Sequence, residues 1–549
     1  MPKKEKKKRN LKYLYFLIPV LILMFVLAIG IKNERSGYRK VNGGYLYRFE
    51  TEDYETVYTE RFQEERDEKI EEIKTLRNYT FQNILMVINP YQTNTNSLYA
   101  YFETSTPSKL RYTVHVNQSD IKDYTNTLYT EDGYTTTHEY LLTGLIPDTV
   151  NHITLELINE NGDVTNTKSV DIQTGSLLSN KKAQLEKTEG ESEEKLSNGL
   201  YAVLGNDSNK TYFLCLYDND GVIRSEIPLT GYRADRLLFQ DDLLYMSVGM
   251  NQIIALNRLG QVERVYSLGN YEMHHDYVFG KDRTLLVLAT EKDADTVEDL
   301  VLSLDLETGD VEKLIDLKDL FGSYMELTTL PEDQDQLDWM HINSLQYDEE
   351  TESVLLSSRE TSTIIKLNDI YENATIDYLI GAESFWEGTE FQDQLLTKIG
   401  DFTLQSGQYS ITLVKDEKLS DEEYYIYLYN NNYGVSTTKP DYNWVENYPG
   451  IGTEREVKEE DTITSQYYKY LVNEKERTFE LVDQFQVDYS GIFSSVQDIN
   501  GNTVVDSGMT STFTEYDPDH QLIAKFDVLN NNLIYRVYKY DFMNYWFTE

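Results

Sequence analysis

A chain of 549 residues with one cysteine, seven histidines, ten prolines and only 50 basic against 94 acidic side chains excludes several kinds of protein. Cys215 can form no disulfide within the chain, so any exported part stands on packing alone. No Gly-rich phosphate loop and no nucleotide fingerprint occurs, so no donor is recognised through a P-loop and no cofactor is expected. Asp218-Asn219-Asp220-Gly221 opens like a calcium loop, but Glu226 comes too early for the bidentate twelfth position. That segment reads as a turn, and no metal is expected. The net charge of −44 disfavours nucleic acid and anionic membrane surfaces as partners.

What is present is apolar and aromatic. Hydrophobic residues make up 40% of the chain, enough for real cores, and 45 tyrosines stand among short runs of Val, Ile, Leu and Thr. Frequent Asp, Asn and Gly turns between those runs predict an all-β protein with little helix. Residues 1–12 carry seven Lys or Arg against one Glu, and residues 13–31 follow with 19 uncharged positions. That run is long enough to span a bilayer and too long for a usual signal core, and its positive flank predicts a cytoplasmic N-terminus. The expected order is therefore a basic tail and transmembrane anchor over 1–31, with the remainder extracellular at the cell membrane. Residues 32–80 read as a charged stalk with a helix over 61–77, whose apolar Phe62, Ile70, Ile73 and Leu76 form a weak stripe. A homodimer contact there stays open, with too few heptads to specify a coiled coil.

Six short strand patterns at 83–88, 97–104, 110–116, 135–142, 151–158 and 165–172 predict a small β-sandwich over 81–174. Its histidines, His115, His138 and His152, have no cluster around them and read as structural. Residues 175–198 read as a linker. Over 199–549, Gly221-Val-Ile-Arg, Gly260-Gln-Val-Glu, Gly309-Asp-Val-Glu and Gly501-Asn-Thr-Val each lead from a polar turn into a strand. Sheets rebuilt repeatedly from hairpins over about 350 residues fit a β-propeller, a fold that runs from about four to eight blades.

The most informative stretch runs from Asp338 to Arg359. Apolar and polar residues alternate from Ile342 to Tyr347, an acidic turn follows, and a strand resumes at Val354, which places His341, Asn343 and Arg359 at one end of a β-hairpin. A histidine, an amide and a guanidinium together suit an anion.

This stretch resembles the bacterial PAPS-independent aryl-sulfate sulfotransferases, which carry a similar Asp-Trp-x-His-x-Asn-Ser segment followed by Ser-Ser-Arg. His274-His275-Asp276 is similar to the family's His-His-Asp segment, and Asn431-Asn432-Tyr433-Gly434 to its Asn-Asn-Tyr-Gly turn. Gly144-Leu-Ile-Pro-Asp-Thr resembles a loop of its N-terminal domain. The resemblance implies six blades, a phenolic sulfate donor and a phenolic acceptor. It also implies site roles: His341 and the His274-His275 pair as proton donors or sulfonate clamps, Asn343 as a neutral donor and Arg359 as the fixed positive charge. Where the family's sulfated histidine follows Gly-Gln, this chain reads Gly407-Gln408-Tyr409, and Asn430 stands where an aspartate commonly precedes Asn-Asn. Tyr409, with His275 or His341 as base, either takes the sulfuryl group or holds the acceptor. The alternatives are a degenerate propeller that binds aryl sulfates or other anions without turnover, or an adhesion scaffold.

Overall fold

The computed structural model describes residues 37–179, 181–205, 212–455, 462–528 and 533–548. The expected anchor lies outside them, and among the described residues no helix is long and apolar enough to cross a membrane. From Leu200 onward the chain builds six sheets of antiparallel strands; blades 2, 3, 4 and 6 are entered through their inner strands, and blade 5 adds Thr397–Ile399 parallel at its outer edge. The inner strands of blades 2 to 6 are Leu238–Gln240, Tyr271–Phe279, Ile342–Asp348, Tyr409–Val414 and Ser494–Ile499. A blade packs on a neighbour through both faces, so its middle strands contain continuous buried runs, such as Leu285 to Ala289. The repeated glycines end the turns: Gly221, Gly260, Gly309 and Gly501 have φ of 72°, 81°, 81° and 91°, a region closed to most side chains.

Two strands from the chain's ends close the ring. Val537–Tyr540 pairs antiparallel with Leu200–Val203 and becomes the inner strand of blade 1. Glu186–Glu189 pairs with Leu522–Asp527 as the outer strand of blade 6. The segment expected as a linker therefore belongs partly to the propeller. Its Glu-Lys-Thr-Glu sequence needs only backbone bonds at an outer edge, so it carries no apolar signature.

Polar side chains stitch the inner strands into a belt. Arg236 of blade 2 grips Asp276 of blade 3 through two bonds of 2.9 and 3.0 Å, and Asp276 accepts from the Leu345 amide of blade 4. Asn343 donates to Gln408 O of blade 5, Ser410 to Val496 O of blade 6, Ser495 to Val537 O of blade 1, and Arg536 back to Asp235 O beside blade 2. Each bond satisfies a backbone or charged group that the closed ring hides from water.

Over residues 84–173 strands stand where the sequence patterns were read and belong to one eight-stranded sheet, with one difference. The strands expected at 97–104 and 110–116 are one strand, Leu98–His115, which changes partner from Thr135–Leu142 to Val150–Ile158 across a register shift between Glu103 and Ser108. Its core runs without a break into blades 1 and 2 through Leu200, Leu214 and Leu244.

The stalk expectation is corrected. Tyr38–Val41 and Gly44–Arg48 join the sandwich sheet, the latter parallel to Ile84–Ile88, so close that a side chain at Gly44 would meet Ile84 O. Helix Glu60–Thr75, capped by Thr59, buries Ile70 and Ile73 against Leu85, Val87 and Tyr99. Gln63 on its inner face accepts from the Val262 amide of blade 2. Of the stripe for which a dimer contact stayed open, Phe62, Ile70 and Ile73 are thus buried inside the chain, and Leu76 is exposed. That packing was hard to see because only a few of the helix's 16 residues face the core.

Candidate functional site

Three inner strands bulge at the same level. Pairing slips between Met273 and Tyr277, between Ile342 and Ser344, and between Tyr409 and Thr412. Two of the bulges hold a residue at positive φ, 59° at His275 and 56° at Ser410, and the third strand is preceded by one, 48° at His341. Such a conformation costs a non-glycine residue about 1–3 kcal/mol, and a bulge re-aims the side chains beside it. The effect is that rings from blades 3, 4, 5 and 1 meet at the axis: His275 lies 5.2 Å from His341, 5.8 Å from Tyr409 and 6.0 Å from Tyr535, centroid to centroid. His274 packs edge-on to His275 at 5.2 Å.

Two carboxylates stand among these histidines. Glu298 Oε2 is 3.2 Å from His275 Nε2 and 2.9 Å from His341 Nδ1, and Asp338 Oδ2 is 2.6 Å from the same His341 Nδ1. Burial opposes a charge on His341, as does Arg359, yet Asp338 and Glu298 outweigh both and raise its pKa well above the usual value, making it a cation. Burial pushes His275 well below its usual value, with Arg233 and His341 adding to the effect against Glu298, so it is neutral. Burial alone would raise Glu298, but His341 and His275 hold it well below the carboxylate range. Arg233 Nη2 lies 3.4 Å from His275 Nδ1 and can only donate, so that nitrogen accepts and Nε2 carries the proton toward Glu298. Tyr535 Oη is also close to Nδ1, at 2.9 Å.

The predicted hairpin is present, with Ile342 opposite Ser358 and Asp348 opposite Ser353. The Arg359 amide donates to His341 O at 3.1 Å, which fixes the two residues side by side. Arg359 is buried. Its Nη2 meets Glu360 at 3.1 Å, and its Nε has no hydrogen-bond partner among the described residues. Glu360 is held in turn by Ser436, Thr437 and Thr438. An orphaned buried N–H beside an imidazolium is a place for an anionic oxygen.

Of the six residues singled out from the sequence, His275, His341, Tyr409 and His274 converge on the axis, and Arg359 joins them through His341. Asn343 does not. It is fully buried and bonded to Gln408 O at 2.8 Å, so it belongs to the belt. The hydroxyl of Tyr409 makes no hydrogen bond among the described residues, and its ring lies 5.8 Å from that of His275.

Sequence reasoning missed Glu298, Glu360, Arg233 and Tyr535, and it quoted Asp338 only as part of a motif. The available signals were Asp338 three residues before His341 and Glu360 next to Arg359. His115, His138 and His152 lie in the sandwich, bonded to Asp123, Thr104 with Ser108, and Asp171. Asp218 caps its own turn by accepting from the Asp220 and Val222 amides and binds Arg224. Cys215 is buried, and its thiol is pushed up to about 12 by burial, which leaves it unreactive. Two donor groups could hold a metal ion, His274 with His275 and Glu298, and Glu298 with Asp338 and His341.

A family model described as Arylsulfotransferase (ASST) matches residues 185–539, and one described as Arylsulfotransferase Ig-like domain matches residues 85–175. No curated protein matches the chain. Solved structures similar to it include a putative 6-phosphogluconolactonase from Bacteroides uniformis ATCC 8492, 12% identical with a TM-score of 0.33, which covers 78% of this chain and 97% of its own. A protein of unknown function from Bacteroides caccae is 11% identical with a TM-score of 0.35, over 62% of this chain and 98% of its own. A protein from Lactobacillus plantarum is 11% identical with a TM-score of 0.33, over 79% and 99%. Likenesses this distant bear on neither substrate nor mechanism.

Proposed function

The chain belongs to the arylsulfotransferase family, and from that membership we propose that it moves a sulfuryl group from a phenolic sulfate ester to a phenolic acceptor, without a nucleotide donor, outside a cell membrane to which residues 13–31 anchor it. The observation that carries the reading is the pair His341 and Arg359, two cations joined through the backbone, with Arg359 Nε lacking an acceptor among the described residues. Arg359 and its orphaned N–H take the sulfonate oxygens. The S–O bond to the donor phenol breaks as His341 gives its proton to the leaving phenolate oxygen. A new S–O bond forms to the oxygen of Tyr409 or of the acceptor phenol, and the proton displaced from that oxygen returns to His341. Exchange between phenols of pKa near 10 is close to thermoneutral, so the site must lower the barrier and need not drive the equilibrium.

A second reading, an anion receptor without turnover, is favoured by one observation. Tyr409 stands where the family resemblance places a nucleophilic histidine, and its hydroxyl makes no hydrogen bond among the described residues. The experiment uses 4-nitrophenyl sulfate with excess phenol. Release of nitrophenol that requires His341 supports the enzyme. A mass increase of one sulfuryl group on donor alone, abolished in Tyr409→Phe, assigns the relay to Tyr409, whereas a Phe variant that keeps part of its rate leaves Tyr409 holding the acceptor. Binding of aryl sulfate without turnover, in wild type and in Tyr409→His, would overturn the enzyme and leave the receptor.

A further inference from the structure

An anion pocket gains nothing from two carboxylates, yet Glu298 and Asp338 stand at its centre. From their geometry we propose that this centre binds a divalent transition-metal ion, held by His275 Nε2, Glu298 Oε2, Asp338 Oδ2 and His341 Nδ1, with a ring nitrogen of His274 as a fifth donor.

Three observations point there. The donor atoms of His274, His275 and Glu298 lie within 4.8 Å of one another, as do those of Glu298, Asp338 and His341, and Glu298 is common to both groups. The separations of 3.2, 2.9 and 2.6 Å bracket the spacing of about 3.0 Å between adjacent donors of a six-coordinate ion with bonds near 2.1 Å. The second observation is unpartnered atoms: among the described residues Asp338 Oδ1 is buried without a hydrogen-bond partner, and His274, 5% exposed, makes no side-chain hydrogen bond, the Ala289 backbone engaging at most one of its ring nitrogens. The third is that His341 Nδ1 faces two carboxylate oxygens at once. One N–H cannot point along both directions, whereas both oxygens and the nitrogen lone pair can point at one cation.

Charge decides the class of ion. Glu298 and Asp338 together carry −2, which a divalent ion neutralises. Imidazole nitrogens with carboxylate oxygens, and no thiolate, suit Zn²⁺, Mn²⁺ or Fe²⁺ over the oxygen-seeking Ca²⁺ and Mg²⁺. With the ion bound, the two carboxylates no longer repel a sulfonate at the axis. His341 then contributes a lone pair, so the ion takes over the positive charge that its proton otherwise supplies. The inference does not require sulfuryl transfer to be the reaction.

The test reads metal and not turnover, so its failure is distinct from failure of the sulfotransferase reading. Untagged full-length chain is stripped with a chelator, exposed to Zn²⁺ or Mn²⁺, passed through gel filtration and analysed for metal content. Wild type is expected to retain one ion per chain, and Glu298→Gln, which removes the donor common to both groups, to retain none. His520→Gln, in blade 6 and bonded to Asp483, should retain the wild-type content. Co²⁺ in the wild type should give a visible ligand-field band that is absent from Glu298→Gln. If Glu298→Gln does not fold, Asp338→Asn is read instead and should weaken binding at least tenfold. Wild type that retains neither ion, or retains no more than a folded Glu298→Gln or Asp338→Asn, overturns the site.

Discussion

Glu360 fixes the direction of Arg359, and its removal should be felt first in stability. Its carboxylate is fully buried and accepts from Arg359 Nη2 at 3.1 Å, Thr438 N at 2.7 Å, and the hydroxyls of Ser436, Thr437 and Thr438 at 3.0 to 3.1 Å. In Glu360→Ala the three hydroxyls can turn to other partners. The Thr438 amide and the Arg359 guanidinium cannot. A buried charge that loses its partner costs about 3–5 kcal/mol, and an orphaned amide adds about 1–3 kcal/mol, so the expected loss is about 4 kcal/mol or more. Glu360→Gln keeps one carbonyl oxygen for the residues at 436–438 and loses the charge-assisted bond to Arg359, for which about 1.5–3 kcal/mol is expected. Urea unfolding of both variants measures the ordering. Because Arg359 loses its brace in either case, turnover of 4-nitrophenyl sulfate by Glu360→Gln should fall mainly through kcat. Variants that unfold within about 0.5 kcal/mol of wild type, or an alanine variant no weaker than the glutamine one, would refute the bracing role.

Arg359→Lys keeps the charge and loses the planar fork, so aryl-sulfate turnover should drop by about 1.5–3 kcal/mol, roughly 10- to 150-fold in kcat/KM; an unchanged rate removes Arg359 from the site. His138, buried against Phe102, has its pKa lowered to about 4 by burial. The unfolded chain takes up that proton below about 6.5 while the native one does not, so stability present above pH 6.5 is lost as pH falls toward 4, by about 3 kcal/mol. The difference in unfolding free energy between His138→Phe and wild type should shift by that amount between pH 7.5 and pH 4; an unchanged difference is the contrary result. Protease added to intact cells should remove the large domain if residues 13–31 anchor it outside; degradation only after lysis would reverse the topology.

Most of the fold was legible because blades repeat one physical problem. Each needs a buried run such as Leu285 to Ala289 and a turn such as that at Gly309, and both leave marks in sequence. Helix Glu60–Thr75 was legible as a helix but not as packed, since few of its residues face the core. The edge strand Glu186–Glu189 left no mark, because an outer strand pairs by backbone alone. Among the site residues, His341 and Arg359 were legible because one hairpin joins them. Glu298 was not. It sits in the loop after Thr284–Glu291, 23 residues beyond His275, and meets the two rings where Glu298, His275 and His341 all stand at positive φ. The bond from Asn343 to Gln408 O was not legible, because a polar residue at a hairpin end looks the same whether it faces a ligand or a neighbouring blade.

A chain with net charge −44 can still hold an anion because distance and direction matter more than the total. Surface carboxylates more than about 8 Å from the axis are largely screened at physiological salt. At the axis, two unit charges 4 Å apart interact by about 4 kcal/mol at an effective dielectric of 20, against about 1 kcal/mol in water, so the nearest groups decide. The inner arginines do not supply free charge there: Arg233 lies 3.1 Å from Asp235, Arg236 binds Asp276, and Arg359 binds Glu360. What they supply is N–H groups of fixed direction, above all Arg359 Nε, which the braces leave without an acceptor. The charge that distinguishes this axis from any other set of arginine-carboxylate pairs comes from the cluster around Glu298. There a proton on His341 offsets one carboxylate, and a bound divalent ion would offset two. Whether the centre faces a sulfonate as a net anion or as a neutral group therefore turns on the occupancy of four side-chain atoms contributed by blades 3 and 4.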